Sequence, residues 1–186
     1  MRILYIHGFG SNFDSNSPKI QTLSEIGEVV GYTYDYTETP EFNISNFIEY
    51  ASQHKVDLII GTSLGGWYAS EVGRLCGVPF VAINPCVHPQ ESLVRYIGEQ
   101  NLDHYGNLYT LTKEICNLYY SITGDGFGMV LVDDGDDVIS PDSINTIEHG
   151  YRVHKFQGGS HRFDHMKESL SLILEHFHMG ECVYEM

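Results

Sequence analysis

Ser63 is the first residue of interest for chemistry, because it lies at the centre of the pentapeptide GTSLG at 61–65. This G-x-S-x-G pattern is typical of a tight strand-to-helix turn that exposes a serine hydroxyl as a nucleophile. The glycines are needed since a Cβ at either position would strike the neighbouring backbone. The pattern is short, but it follows the most apolar run of the chain, 56–60, and precedes a helix-like segment at 67–75. That context predicts Ser63 as the nucleophile.

A serine hydroxyl is a poor nucleophile at neutral pH, so it needs a base, and the base needs a carboxylate that orients it. In enzymes with this turn, the three groups follow the chain order serine, acid, histidine. Here an acidic loop at 133–137 follows one apolar run, and a glycine-rich loop carries His161 after another. We predict His161 as the general base. Its partner is either Asp136 or Asp137, and Asp137 is favoured by its spacing of four residues from Pro141.

The negative charge that develops on a substrate carbonyl oxygen requires two N–H donors that are already in position. One should be the backbone N–H of Leu64, directly after the nucleophile. The other is expected from the loop 7–10, which follows the first strand-like run, with Phe9 as the preferred donor and Gly10 as the reserve. His7 is expected to be a structural member of this loop.

The elements that must position these residues alternate along the chain. Strand-like runs occur at 3–6, 32–36, 56–60, 79–83, 129–132 and 152–156, and helical patterns at 17–26, 43–51, 67–75, 140–148 and 164–177. This alternation predicts an α/β fold, a three-layer sandwich with a mostly parallel sheet of about six strands. We expect a single domain, 1–186, in which the irregular, tyrosine-rich segment 86–128 is a cap or insertion. The predicted catalytic loops would then meet at the carboxyl edge of the sheet.

The charge of the chain limits its partners. The formal net charge is −15, with ten Lys and Arg against 25 Asp and Glu. Such a field repels phosphate backbones and anionic lipid headgroups, so neither nucleic acid nor a membrane is an expected partner. It also disfavours polyanionic substrates. Small neutral esters of short or medium acyl chains are therefore expected ahead of coenzyme A thioesters, and the oligomeric state stays open.

Three features favour a cytoplasmic location. No run of about eighteen apolar residues is present, so a membrane span is not expected. The segment 1–7 enters a strand pattern directly, without the apolar stretch of an export signal. The cysteines form no CxxC pair and are expected to be reduced and buried; they are Cys76, Cys86, Cys116 and Cys182.

Taken together, these motifs resemble those of the small YqiA-type esterases of the α/β-hydrolase superfamily, and the likeness covers most of the chain. The family motifs and the residues that correspond to them are L-x-x-H-G-F at 4–9, the elbow S-S-L-G-G-x-Y-A at 62–69, N-P at 84–85, G-D-E-V at 135–138 and G-G-N-H-x-F at 158–163. Among the departures from the family pattern, Thr62 stands in place of serine and Ser160 in place of asparagine.

This resemblance implies an α/β-hydrolase fold and a serine esterase or thioesterase that acts on small acyl esters without a cofactor. It also implies which aspartate is the acid, because the family has it directly after glycine, which is Asp136 in this chain.

Other interpretations are weaker. The acidic loop lacks the alternating spacing of a calcium-binding loop, so no metal is expected. The glycines at 8 and 10 lack the third glycine of a dinucleotide fingerprint, since position 13 is Phe. A peptidase is a third possibility, and a hydrolase-like binding module without turnover is the alternative from another class. The other histidines of the C-terminal region are expected on surfaces or helix faces; they are His154, His165, His176 and His178.

Overall fold

A sheet of six parallel strands forms the centre of the computed structural model, which describes residues 1–184 apart from the side chains of residues 141 and 181–184. The strands are β1 (Arg2–Ile6), β2 (Glu28–Val30), β3 (Leu58–Thr62), β4 (Phe80–Ile83), β5 (Gly98–Leu102), β6 (Leu108–Leu111), β7 (Gly128–Asp133) and β8 (Arg152–Phe156). The main sheet has the order β2-β1-β3-β4-β7-β8, and β5 and β6 form a separate antiparallel pair. The predicted α/β architecture is confirmed.

Helices cover both faces of the main sheet. They are α1 (Pro18–Leu23), α2 (Pro40–His54), α3 (Leu64–Cys76), α4 (Pro89–Ser92), α5 (Lys113–Cys116), α6 (Pro141–Asn145) and α7 (Met166–Tyr184). The first two begin in the same way: the side chains of Ser17 and Thr39 each accept a hydrogen bond from a backbone N–H of the first turn, and a proline follows. Helix α3 ends at Gly77, which has the left-handed conformation common after helices.

Alternation along the strands divides the apolar core into two layers. In β1, Leu4 and Ile6 face the layer that contains α2 and α3, whereas Ile3 and Tyr5 face the layer that contains α1 and α7. The other central strands alternate in the same way, and their residues are almost all buried. This is the pattern of a parallel sheet covered by helices on both faces.

The second strand differs from the predicted one. The sequence predicts a strand at 32–36, but β2 is Glu28–Val30, paired with β1. The backbone N–H of Tyr34 donates instead to the imidazole Nε2 of buried His7 at 3.3 Å, and the two rings stack with centroids 4.4 Å apart. Tyrosines favour strands by propensity, which is why a strand is predicted at 32–36. Instead, Tyr34 packs against His7 in the loop that follows β1.

The segment between β4 and β7 contains short helices and the β5–β6 pair. Its turn is organised by Asp103, whose Oδ1 accepts the backbone N–H groups of Tyr105 and Asn107, both at 2.8 Å. The turn also contacts the loop after β1, because the His104 N–H donates to the Gly10 carbonyl at 3.2 Å. A cap function for this segment, and the single-domain organisation, remain predictions.

Further features of the chain bear on the expectations from sequence. Cys86 and Cys116 are free and buried, Cys76 is free and half-buried, and the side chain of Cys182 lies outside the described residues. Within residues 1–184, no helix combines the length and apolar character that a bilayer crossing requires. Among the side chains that the structure describes, no three His, Cys, Asp or Glu are arranged to hold a metal ion.

Candidate active site

The turn between β3 and α3 presents Ser63 at the carboxyl edge of the sheet. Ser63 has φ 58° and ψ −121°, a conformation that L-residues rarely adopt outside strained functional turns. A Cβ on Gly61 would lie 1.8 Å from the Gly65 carbonyl oxygen, and one on Gly65 would lie 2.1 Å from the Ile6 carbonyl oxygen. Both positions therefore require glycine. The Ser63 N–H donates to the Ile83 carbonyl at 3.0 Å, which fixes the turn against β4.

The Ser63 hydroxyl contacts a histidine instead of capping the helix that it precedes. This serine stands at the N-cap of α3 but makes no capping hydrogen bond. Its Oγ lies 3.0 Å from Nε2 of His161, whose Nδ1 lies 2.8 Å from Oδ2 of Asp136. An ionised carboxylate only accepts, so Nδ1 carries the proton and Nε2 accepts from the Ser63 hydroxyl. The structure thus brings together the three side chains that the sequence predicts as a triad.

The carboxylate that contacts the imidazole belongs to Asp136. Its other oxygen, Oδ1, accepts the backbone N–H groups of Val138 at 2.8 Å and Ile139 at 2.9 Å. Burial raises the pKa of this carboxyl, but the hydrogen bonds from His161 and from the two backbone groups outweigh burial and leave the pKa below its ordinary value. Asp137, the other candidate, is exposed and lies at the wall of the adjoining cavity.

Two fully buried polar residues hold the loop that carries His161. Asn84 follows β4 and donates from Nδ2 to the carbonyls of Ser160 at 2.9 Å and His161 at 3.3 Å, while its Oδ1 accepts the N–H of Asp133. Asp133 accepts the N–H groups of Ser160 at 3.2 Å and Asp164 at 2.7 Å. These contacts connect the loop to two neighbouring strands, so the imidazole is positioned by the sheet itself.

The two predicted oxyanion donors are Leu64, directly after the serine, and Phe9, at the cavity wall. Leu64 is the first residue of α3, where backbone N–H groups have no partner within the helix. Phe9 follows β1 and lines the same cavity as Ser63. Its ring packs against Tyr36, Tyr96 and Tyr109 at centroid distances of 4.6, 4.9 and 5.4 Å, which fixes this loop against the segment 86–128.

His7, in the same loop, is buried among apolar groups. Burial lowers the pKa of its imidazole to about 4, although a hydrogen bond with the Gly8 carbonyl opposes this effect. A neutral, buried ring that accepts the Tyr34 N–H is consistent with the structural role expected from the sequence.

A cavity of about 680 Å³ opens beside Ser63 and His161. That volume is within the range of small-molecule sites. Its wall also contains six residues from four separate parts of the chain, namely Tyr5, Phe9, Lys19, His104, Tyr105 and Arg162. Tyr105 belongs to the tyrosine-rich segment 86–128, so this segment contributes to the cavity wall.

Sequence reasoning missed several residues of this site. Lys19 lies in α1 and belongs to no motif, so nothing in the sequence marks it as a cavity residue. His104 lies in the Asp103–Asn107 turn, whose Asp, Gly and Asn residues are a recognisable turn signal. Asp133 was seen only as part of an acidic loop, although its place at the end of a buried strand separates it from its exposed neighbour Asp134.

The sequence of the chain matches a known protein family. Residues 2–177 match the model of an uncharacterised protein family, UPF0227. A UPF0227 protein of Vibrio atlanticus is 27% identical over 177 residues, which cover 90% of this chain and 94% of the relative.

Solved structures share the fold at lower identity. A monoacylglycerol lipase of Paleococcus ferrophilus superposes with a TM-score of 0.71 at 12% identity, covering 96% of this chain and 94% of the lipase. The type II thioesterase BorB, from the borrelidin biosynthetic cluster, superposes with a TM-score of 0.64 at 14% identity, covering 95% and 91%. The likeness to YqiA-type proteins is confirmed, and the chain belongs to the UPF0227 family, with an α/β-hydrolase fold.

Proposed function

We propose that this protein is a serine hydrolase that cleaves small carboxylic esters through an acyl-enzyme on Ser63. The observation that carries the proposal is the continuous chain of contacts from the Ser63 hydroxyl through the His161 imidazole to the Asp136 carboxylate, at 3.0 and 2.8 Å. These are hydrogen-bond distances suited to proton transfer. The family name leaves the activity open, but the similar folds of a lipase and a thioesterase support hydrolysis of acyl groups.

In the proposed reaction, Nε2 of His161 takes the Ser63 proton as Oγ attacks the substrate carbonyl carbon. The backbone N–H groups of Leu64 and Phe9 stabilise the oxyanion that forms. The imidazolium then gives its proton to the leaving alcohol, and the same nitrogen later removes a proton from the water that releases the acid. Asp136 stabilises the imidazolium and keeps its Nε2 directed at Ser63.

The cavity supports a small substrate. Its volume of about 680 Å³ suits a short or medium acyl chain and a small alcohol, and aromatic side chains such as Phe9 supply an apolar wall. Esters are the proposed substrates ahead of thioesters and amides. Within the proposal, segment 86–128 acts as a cap, because His104 and Tyr105 from this segment complete the cavity.

A fluorophosphonate probe tests the nucleophile directly, since it labels a serine only where a base activates the hydroxyl. The native protein should be labelled and should hydrolyse p-nitrophenyl esters of graded chain length faster than the matching p-nitroanilides. Ser63→Ala should lose both properties. Ser11→Ala is the matched control, because Ser11 lines the same cavity and should be dispensable.

Two results would contradict the proposal. An unlabelled native protein that is correctly folded would favour a binding module without turnover. Labelling that survives in Ser63→Ala but disappears in Ser11→Ala would identify a different nucleophile.

A further inference from the structure

The cavity beside Ser63 contains positive charge that ester hydrolysis by the triad does not use. Lys19 and Arg162 line it, and Asp137 is the one carboxylate side chain among its described lining residues. The chain as a whole has a formal charge of −15. The charged side chains of the cavity wall are therefore mainly positive, whereas the chain as a whole is negative. The net charge of the chain is thus a poor guide to the charge of a ligand in this cavity.

Most of the basic residues elsewhere are neutralised by ion pairs. The pairs are Arg2 with Glu28, Arg74 with Glu71, Arg152 with Glu175, Lys155 with Glu148 and Lys167 with Glu25. Among the described residues, five basic side chains form no such pair, and two of these, Lys19 and Arg162, line the cavity, whereas Lys55, Arg95 and Lys113 do not. The chain has 25 acidic residues, and yet none of those that the structure describes pairs with these two cations at the cavity wall. A negatively charged ligand group can therefore pair with them.

The groups that touch the Lys19 ammonium are neutral. Its Nζ donates to the Thr62 hydroxyl at 3.4 Å, and that hydroxyl also contacts the Tyr5 hydroxyl at 3.0 Å. Burial raises the pKa of Tyr5 to about 12, so the phenol stays protonated at neutral pH and supplies no charge. An ammonium has three N–H donors, and the cavity side of Lys19 is where a ligand can accept from them.

Asp133, the acidic group with the largest effect on Lys19, is engaged by other donors. Asp133 is fully buried and accepts from His165 and from two backbone N–H groups. Burial lowers the pKa of Lys19 to about 8; Asp133 and Asp164 oppose this shift, whereas Arg162 adds to it. Lys19 is thus still mainly protonated at neutral pH, but it lacks a bound counter-charge.

We propose that the cavity takes an ester that bears one carboxylate, which accepts hydrogen bonds from Lys19 while the ester carbonyl lies beside Ser63. The inference rests on the proposed function for the identity of the reacting group. Arg162 is exposed at the same wall and attracts the anion into the cavity. A second negative group would meet Asp137 and the acidic surface, so a monoanion fits better than a polyanion.

Two substrate pairs test this proposal, each matching a carboxylate with its neutral amide. One pair carries the group on the acyl side, as the mono-p-nitrophenyl esters of adipic acid and of adipamic acid. The other carries it on the alcohol side, as the butyrate esters of 4-hydroxybenzoate and of 4-hydroxybenzamide. In at least one pair, the native protein should have a kcat/KM about ten- to one-hundredfold higher for the carboxylate, the usual strength of a charge-assisted hydrogen bond.

Variants at position 19 identify the source of the preference. Lys19→Met keeps the apolar stem and removes the charge, so kcat/KM for the carboxylate should fall about ten- to one-hundredfold more than kcat/KM for the amide, and the preference should disappear. Lys19→Arg should restore the preference. The matched control is Lys55→Met, because Lys55 is exposed at the end of α2 and does not line the cavity.

Binding to the Ser63→Ala protein separates this inference from the proposed function. Titration calorimetry with the same uncleaved esters should show tighter binding of the carboxylate, and Lys19→Met should remove the difference. If turnover is absent but this binding preference is found, the proposed function fails and the anion site stands. If the native protein turns over and binds both members of both pairs equally, the anion site is wrong and the esterase stands.

Discussion

Two aspartate–histidine pairs lie in the loops that follow β7 and β8, and only one of them contacts the Ser63 hydroxyl. In each pair a carboxylate contacts Nδ1 of an imidazole, at 2.8 Å for Asp136–His161 and at 2.7 Å for Asp133–His165. The first imidazole continues to Ser63 through its Nε2. The second stacks on Phe156, with centroids 5.1 Å apart, and is absent from the described wall of the cavity.

The two pairs differ in the further hydrogen bonds that each carboxylate accepts. Oδ1 of Asp136 accepts from backbone N–H groups of its own loop, which leaves Oδ2 to accept from the His161 imidazole. Asp133 binds the backbone at 160 and 164, on both sides of His161. The Asp136–His161 pair therefore belongs to the proposed proton relay, and the Asp133–His165 pair holds the loop that positions His161. Contact between an acid and a histidine does not by itself mark a catalytic group.

The largest expected effect separates the two neighbouring candidates for the acid. Asp136→Asn should lower kcat by about 10³- to 10⁴-fold, because an amide in this place favours the wrong imidazole tautomer and no longer stabilises the imidazolium. Asp137→Asn, the matched control, should stay within about fivefold. Ester hydrolysis by both purified proteins checks the ranking, and a larger loss in Asp137→Asn would mean that the wrong aspartate has been identified.

A smaller effect, on stability instead of chemistry, is expected at Asp133. The Asp133 carboxylate accepts from two backbone N–H groups and from His165. In Asp133→Asn, the amide N–H₂ would face one or more of these donors, so the substitution should lower the free energy of unfolding by about 2–3 kcal/mol. For a chain of this size, that corresponds to a drop in Tm of roughly 4–12 °C. Asp134→Asn is the control, because Asp134 is exposed, and it should change Tm by less than about 3 °C. An unchanged Tm in Asp133→Asn, followed by circular dichroism, would remove the distinction drawn between the pairs.

The parts of the site that lie in local motifs were predictable from the sequence. Gly61, Ser63 and Gly65 identify the turn because its sterics act within five residues. The loop with His161 could be found because its strand is a clear apolar run and the chain order of the triad is fixed. The resemblance to a family separated Asp136 from Asp137, and spacing alone favoured the wrong one of the two for contact with the imidazole.

The remaining features depend on contacts between distant segments. Lys19 reaches the cavity because α1 packs beside the carboxyl edge of the sheet, and its partner Thr62 is 43 positions away. The second strand was predicted at 32–36 because tyrosines favour strands, but Tyr34 contacts His7 and the shorter run 28–30 pairs with β1. At the second strand, tertiary packing overrides the propensity of the tyrosines.

The smallest expected effect concerns the pH dependence of the second pair. The hydrogen bond from His165 to Asp133 raises the pKa of this imidazole above its ordinary value, although desolvation opposes the shift. A raised folded-state pKa means that the charged pair stabilises the protein fully below the unfolded-state value, about 6.5, and that this stabilisation is lost as the pH rises through the folded-state value. His165→Asn keeps a donor near Asp133 but cannot titrate in this range. The Tm of the native protein should therefore exceed that of His165→Asn more at pH 6 than at pH 8.5, while ester hydrolysis stays within about threefold.

His7 and His176, whose pKa values burial lowers to about 4, are present in both proteins and cancel from the difference. A Tm difference that is the same at both pH values would show that the pair is held by a neutral hydrogen bond, and a large loss of hydrolysis would move His165 from the supporting pair into the relay.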